Sequence, residues 1–154
     1  MSTSAPSNRS TDMSRPLISH IGIAVADLDQ AIGRYRTMTG QEEPVIEEVA
    51  DQKVKVAIFS GSGGDDCELG SRIELVAATA PDSPIASFIA RKGEGLHHIC
   101  IYVEDIEQKL SELKAAGIRL IDETPRIGAE GSKVAFVHPS DMNGVLIELE
   151  EAPE

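Results

Sequence analysis

Two histidines, His20 and His98, and two glutamates, Glu74 and Glu148, occupy matching places in two halves of this chain. Set HIGIAVADLDQAI, from His20, above HICIYVEDIEQKL, from His98. Six of thirteen positions are identical at a constant offset of 78: His, Ile, Ile, Val, Asp and Gln. The pairs Leu28/Ile106, Asp29/Glu107 and Ile32/Leu110 are conservative. Two unrelated strand–helix units would share aliphatics but not a paired His, Asp and Gln, so the segment is a duplication. The last strands match as well. RIELVA carries Glu74 and VLIELE carries Glu148, each inside the same Ile-Glu-Leu triplet.

Two imidazoles and two carboxylates form an N2O2 donor set for a divalent transition metal, with coordination positions left open. A carboxylate set among aliphatic strand residues needs a partner, and a cation is one. Taken singly, each residue reads as an exposed strand Glu or a hydrogen-bonded His. At four equivalent positions they read as one metal site made of His20, Glu74, His98 and Glu148. Mixed imidazole and carboxylate donors suit Co, Mn, Ni and Zn alike, and cobalt is put first. Side chains alternate faces along a strand, which sends His97 and His98 to opposite sides; the offset of 78 selects His98 as the ligand. By the same alternation Glu150 shares the face of Glu148, and Arg72 that of Glu74. His97 is read as structural or as a partner of a ligand. His138 is read as structural or substrate-facing.

Each copy has the same local plan. A β-rich run (IGIAV, ICIYV) leads to Asp27 or Asp105, which can cap a helix, with Gln30 or Gln108 three residues later as in a capping box. Leu28, Ala31, Ile32 and Tyr35 then fall at helical spacing, as do Ile106, Leu110 and Leu113. Gly40 and Gly117 stand where helices stop. Strands are expected over 43–49, 53–60 and 71–78 in the first copy, with a turn GSGGDDCELG between the last two. In the second copy they are expected over 118–123, 132–138 and 144–150. A short helix over 83–91, capped by Ser83 with Pro84 at its first position, joins the copies. The result is an α+β chain of two tandem βαβββ modules, about 17–80 and 95–152.

A net charge of −12 argues against nucleic acid, whose phosphates need a basic face. No stretch nears the roughly 18 apolar residues of a membrane span. Cys67 and Cys100 have no metal-type spacing and imply no disulfide framework, which points to a reducing, cytoplasmic setting. Residues 1–16, MSTSAPSNRSTDMSRP, lack the apolar region of a secretory signal and are read as a disordered tail rather than a transit peptide.

The pattern resembles the vicinal oxygen chelate superfamily, whose paired βαβββ modules form a cupped mixed sheet around a metal. Within it the chain is similar to the methylmalonyl-CoA epimerase family, from about Ser19 to Glu150. HIGIAVADLDQAI is shared across the superfamily. PDSPIASFIARKGEGLHHI, LIDETPRIGAEGSKVAFVHP and GVLIELEE, in that order, are particular to the epimerases. The resemblance implies the same four ligands, although some members have Gln where Glu74 stands. It implies a homodimer that interconverts (2S)- and (2R)-methylmalonyl-CoA through an enolate, with Glu148 as one proton-transfer group. Some members carry a second catalytic Glu in the strand that reads QKVKVAIF here, in register with Val56. Glu48 in the preceding strand is carried as the alternative, against a reading of Glu47-Glu48 as a solvated edge strand. Lys92, Arg126 and Lys133 are basic residues for the CoA phosphates or ordinary surface charges.

Three other readings use the same fold. A glyoxalase I-type lyase shares the His/Glu/His/Glu set and is separated by a hemithioacetal assay. A ring-cleaving Fe(II) dioxygenase needs only two His and one carboxylate, so Glu74 speaks against it. A non-enzymatic small-molecule binding module would lack the metal.

Overall fold

The computed structural model describes residues 17–60 and 71–152. The tail at 1–16, the turn at 61–70 and Cys67 lie outside the described residues. In chain order the elements are β1 (Ile18–Ala24), α1 (Leu28–Thr39), β2 (Val45–Val49), β3 (Val54–Ser60), β4 (Arg72–Ala78), α2 (Pro84–Lys92), β5 (Gly95–Val103), α3 (Ile106–Ala115), β6 (Arg126–Ile127), β7 (Lys133–Val137) and β8 (Ile147–Glu151). One mixed sheet has the order β2-β3-β4-β1-β5-β8-β7-β6. The first strand of each module runs parallel to its own last strand, β1 with β4 and β5 with β8. The two first strands then pair antiparallel to each other. The histidine-bearing strands therefore meet at the centre, each flanked by a glutamate-bearing strand.

The helices begin where their sequences call for it. Asp27 accepts from Gln30 N at 3.0 Å and Asp105 from Gln108 N at 2.9 Å. The return half of the capping box forms in neither copy, and Gln108 Nε2 donates to Glu112 along the helix. Gly40 closes α1 in the left-handed conformation, its N–H on Arg36 O. The apolar stripe of α1 (Leu28, Ala31, Ile32, Tyr35) packs on Phe59, Leu75 and Ala77, covering the outer face of the first module. In the second, Ile106 and Leu110 of α3 pack on Ala135, Val137 and Leu149. Full burial of such a side chain contributes about 1.5–3 kcal/mol.

The inner faces bend towards each other into a cup. Ser83 Oγ caps α2 through Ile85 N, and α2 lays Ile85, Phe88 and Ile89 over Val54, Val56, Ile58 and Val76. Across the mouth, Glu130 joins the modules. Its N–H donates to Glu47 on edge strand β2, and its carboxylate takes Arg72 Nη1 at 2.6 Å.

One expected strand is not formed. Residues 118–123 make only a bridge between Leu120 and Val137, and β6 lies further on, at Arg126–Ile127. Asp122 is the cause. Its Oδ2 accepts Phe136 N at 2.9 Å, replacing a backbone carbonyl in the ladder, and the chain turns away there.

Candidate metal centre and the cup around it

Register places the four donors around the centre of the sheet. Gly22 of β1 pairs with Glu74 on one side and His98 on the other, while Cys100 of β5 pairs with His20 and Glu148. His20, Glu74, His98 and Glu148 all point into the cup and are only 3 %, 6 %, 6 % and 7 % exposed. His20 Nε2 lies 3.1 Å from His98 Nε2, 3.1 Å from Glu148 Oε2 and 3.2 Å from Glu74 Oε2. His98 Nε2 is 2.9 Å from the same Glu148 oxygen. Donors held about 2.0–2.2 Å from a transition metal stand roughly 3 Å from one another, so these separations fit one cation.

The electrostatics agree. Burial pushes Glu74 up, with His20 opposing only in part. Burial also works against ionising Glu148, yet its bonds with His20 and His98 hold its carboxyl well below the usual carboxylate range. Burial would lower His20 too, but the hydrogen bond with Glu148 and the charges of Glu74, Glu148 and Glu150 raise it above its ordinary value. The pocket therefore favours positive charge. A divalent cation would supply it, taking the place of the protons.

The expectation that His97 and His98 face opposite sides is corrected. Between Gly22↔His98 and Ile23↔Leu96 the register shifts by one, leaving His97 as an extra residue on β5. Such a bulge re-aims a side chain. His97 joins the cup wall, its Nδ1 2.9 Å from His98 Nδ1 and its ring edge-on to Phe88. Burial and the neighbouring His98 push it down to about 4, so it is neutral near pH 7. A second shift, between Ile18↔Ile101 and His20↔Cys100, makes Ser19 the extra residue on β1. Ser19 is fully buried, with Oγ 3.0 Å from His20 Nδ1.

Beneath His20 lies a group of residues not singled out as site residues from sequence. Arg72 Nη2 donates to Ser19 Oγ at 2.8 Å and to Glu150 Oε2 at 3.0 Å, and Ser19 Oγ donates to that same Glu150 oxygen. Strand alternation had already put Arg72 and Glu150 on the inner face, which was the available signal.

The cup encloses ≈ 600 Å³. One wall is aliphatic (Val49, Val54, Val56, Val76, Ile85), while Arg91, Lys92 and Arg126 add positive charge. Lys133 is not there; it faces Glu107 and Glu151. His138 fits both of its readings, lining the cup while its Nδ1 accepts Ser140 N at 3.0 Å. Glu48 is corrected: it is exposed on β2 and does not line the cup, because alternation turns Glu47 and Val49 inward instead.

A curled sheet of paired βαβββ units holding His and Glu donors at its centre defines a class. Residues 19–136 match the glyoxalase/bleomycin resistance protein/dioxygenase superfamily, and the chain belongs to it. The bovine mitochondrial methylmalonyl-CoA epimerase is 39 % identical over 88 % of this chain and 74 % of its own length. The ethylmalonyl-CoA/methylmalonyl-CoA epimerase of Cereibacter sphaeroides is 38 % identical over 87 % of this chain and 96 % of its own. A variant of the Streptomyces coelicolor methylmalonyl-CoA epimerase, solved with 2-nitronate-propionyl-CoA, superposes with a TM-score of 0.81 at 35 % identity, covering 88 % of this chain and 93 % of that one. Within the superfamily, the chain belongs to the methylmalonyl-CoA epimerases.

Proposed function

We propose that this chain is a metal-dependent epimerase interconverting (2S)- and (2R)-methylmalonyl-CoA. The observation that carries the reading is the convergence of His20, Glu74, His98 and Glu148, with neighbouring donor contacts of 2.9–3.2 Å, in an epimerase-family cup.

The reacting carbon lies between a carboxylate and a thioester carbonyl. Removing its proton sends charge onto the thioester oxygen, which is the energetic difficulty. A divalent cation held by the four residues, cobalt by preference, would supply Lewis-acid stabilisation of that charge. Glu148 presents an ionised oxygen at the centre of the cup and takes or returns the α-proton on one face. The aliphatic wall of Val54, Val56, Val76 and Ile85 keeps water from the reacting carbon. Lys92 and Arg126 meet the anionic CoA at the cup's rim. Residues 17–152 act as one domain of two modules. The buried free thiol of Cys100 fits a reducing compartment such as the cytoplasm. Ile18 and Ile21, exposed on central strand β1, suit a homodimer contact.

The test is an epimerisation assay with methylmalonyl-CoA before and after chelation, with elemental analysis of the protein. Activity should vanish with the metal and return on adding Co²⁺, and a glutathione hemithioacetal should not turn over. Full activity in protein stripped of metal would refute the metal dependence.

A further inference from the structure

The bulged residues Ser19 and His97 are themselves related by the offset of 78 that relates His20 to His98. Each module thus places an extra residue immediately before its histidine, and the bulge swings that residue beneath the imidazole. In both copies the contact is to Nδ1, while Nε2 faces the other donors. We infer that Ser19 and His97 are matched positioning residues that hold His20 and His98 as the tautomer with the proton on Nδ1 and the lone pair of Nε2 aimed into the cup. The inference rests on the proposed metal centre and deepens it.

In the first module the donors and acceptors can be assigned one by one. Arg72 can only donate, and it donates to Ser19 Oγ at 2.8 Å. The Glu150 carboxylate, ion-paired with Arg72 at 3.0 Å, can only accept. It takes the single hydroxyl proton of Ser19. Ser19 Oγ then has one lone pair left and no proton to offer, so towards His20 Nδ1 it acts as acceptor. The imidazole must carry its proton there, which frees Nε2 to bind a cation.

In the second module the same end is reached with different chemistry. His98 Nε2 faces Glu148 Oε2 and His20 Nε2, so as a ligand it needs its proton on Nδ1. His97 Nδ1, at 2.9 Å, is the acceptor, and its own proton sits on Nε2. Phe88 packs edge-on against the His97 ring and fixes its plane. A hydroxyl in one module and an imidazole in the other do the same work at equivalent positions.

The experiment uses the full chain and reads affinity for Co²⁺ by competition with a chelator, together with the visible absorption of the Co²⁺ form. Ser19→Ala and His97→Phe are each expected to weaken binding about 10- to 100-fold and to change the Co²⁺ spectrum. His97→Asn, which keeps an acceptor at the place of Nδ1, should restore most of the affinity. Thermal midpoints of the metal-free variants report whether folding is intact; should Ser19→Ala fail to fold, the His97 pair still decides the matter. Wild-type affinity and spectrum in both variants, alongside loss of binding in His20→Ala, would overturn the inference while leaving the metal centre standing. If wild-type and His20→Ala take up Co²⁺ equally, the metal centre itself fails and the inference falls with it.

Discussion

The imidazole of His98 lies directly against the bare backbone of Gly22, its partner across β1 and β5; a Cβ on Gly22 would stand 2.1 Å from His98 Cε1, far closer than atoms in contact can come. At the equivalent point in the other module, His20 faces Cys100, so the two halves are not interchangeable. The glycine is there for space, since Gly22 is not among the residues with positive φ.

Gly22→Ala should therefore displace His98 rather than strain the chain. Overpacking of this kind costs about 1–3 kcal/mol. Urea unfolding of the metal-free protein should show a loss in that range, and Co²⁺ affinity should fall. Unchanged stability together with unchanged affinity would mean the ring does not rest there.

Glu148→Gln removes the carboxylate assigned to proton transfer. Epimerisation should slow by about 10²-fold or more. Exchange of the substrate α-proton for solvent deuterium, followed by NMR, should slow with it. If the variant kept its metal and exchanged at the wild-type rate, Glu148 would have no role in moving the proton.

His97 gives a pH signature. It is pushed down from 6.5 to about 4 in the folded protein, by burial first and then by His98. Between these values the unfolded chain binds more protons at this residue than the folded one, so stability rises with pH in that window. Its contribution is present above about 6.5 and lost as pH falls towards about 4. Comparing urea midpoints of metal-free wild type and His97→Phe from pH 7 to 4 isolates it; the wild type should lose stability more steeply.

Cys100 should be chemically silent. Burial, followed by the charges of Glu148 and Glu150, pushes its thiol far above the ordinary value, and only a thiolate is a competent nucleophile. Iodoacetamide at pH 8 should leave the Cys100 peptide unmodified in the native protein and label it in urea, as read by peptide mass mapping.

Much of this centre was legible along the chain. The offset of 78 picked out His20 and His98, the doubled Ile-Glu-Leu triplet picked out Glu74 and Glu148, and alternation put Arg72 and Glu150 on the inner face. Glu48 shows the limit. Its neighbour Glu47 turns inward and Glu48 outward, a choice made by how β2 pairs with β3 and by Glu130 reaching across to Glu47. The missing strand at 118–123 shows it again, since the competitor for Phe136 N is a side chain, Asp122, and not a backbone pattern.

Helix faces, caps, strand periodicity and the duplication depend on residues close in sequence, so the sequence by itself determined them: two βαβββ modules, each ending in a buried Glu and beginning with a His. Only the tertiary structure decided where the register slips. A bulge exists only in the pairing of two strands, and the slips at Ser19 and His97 arise where β1 meets β5, nearly eighty residues away in the chain. That pairing brings His97 into the cup, sets Ser19 between His20 and Glu150, and lays His98 on Gly22.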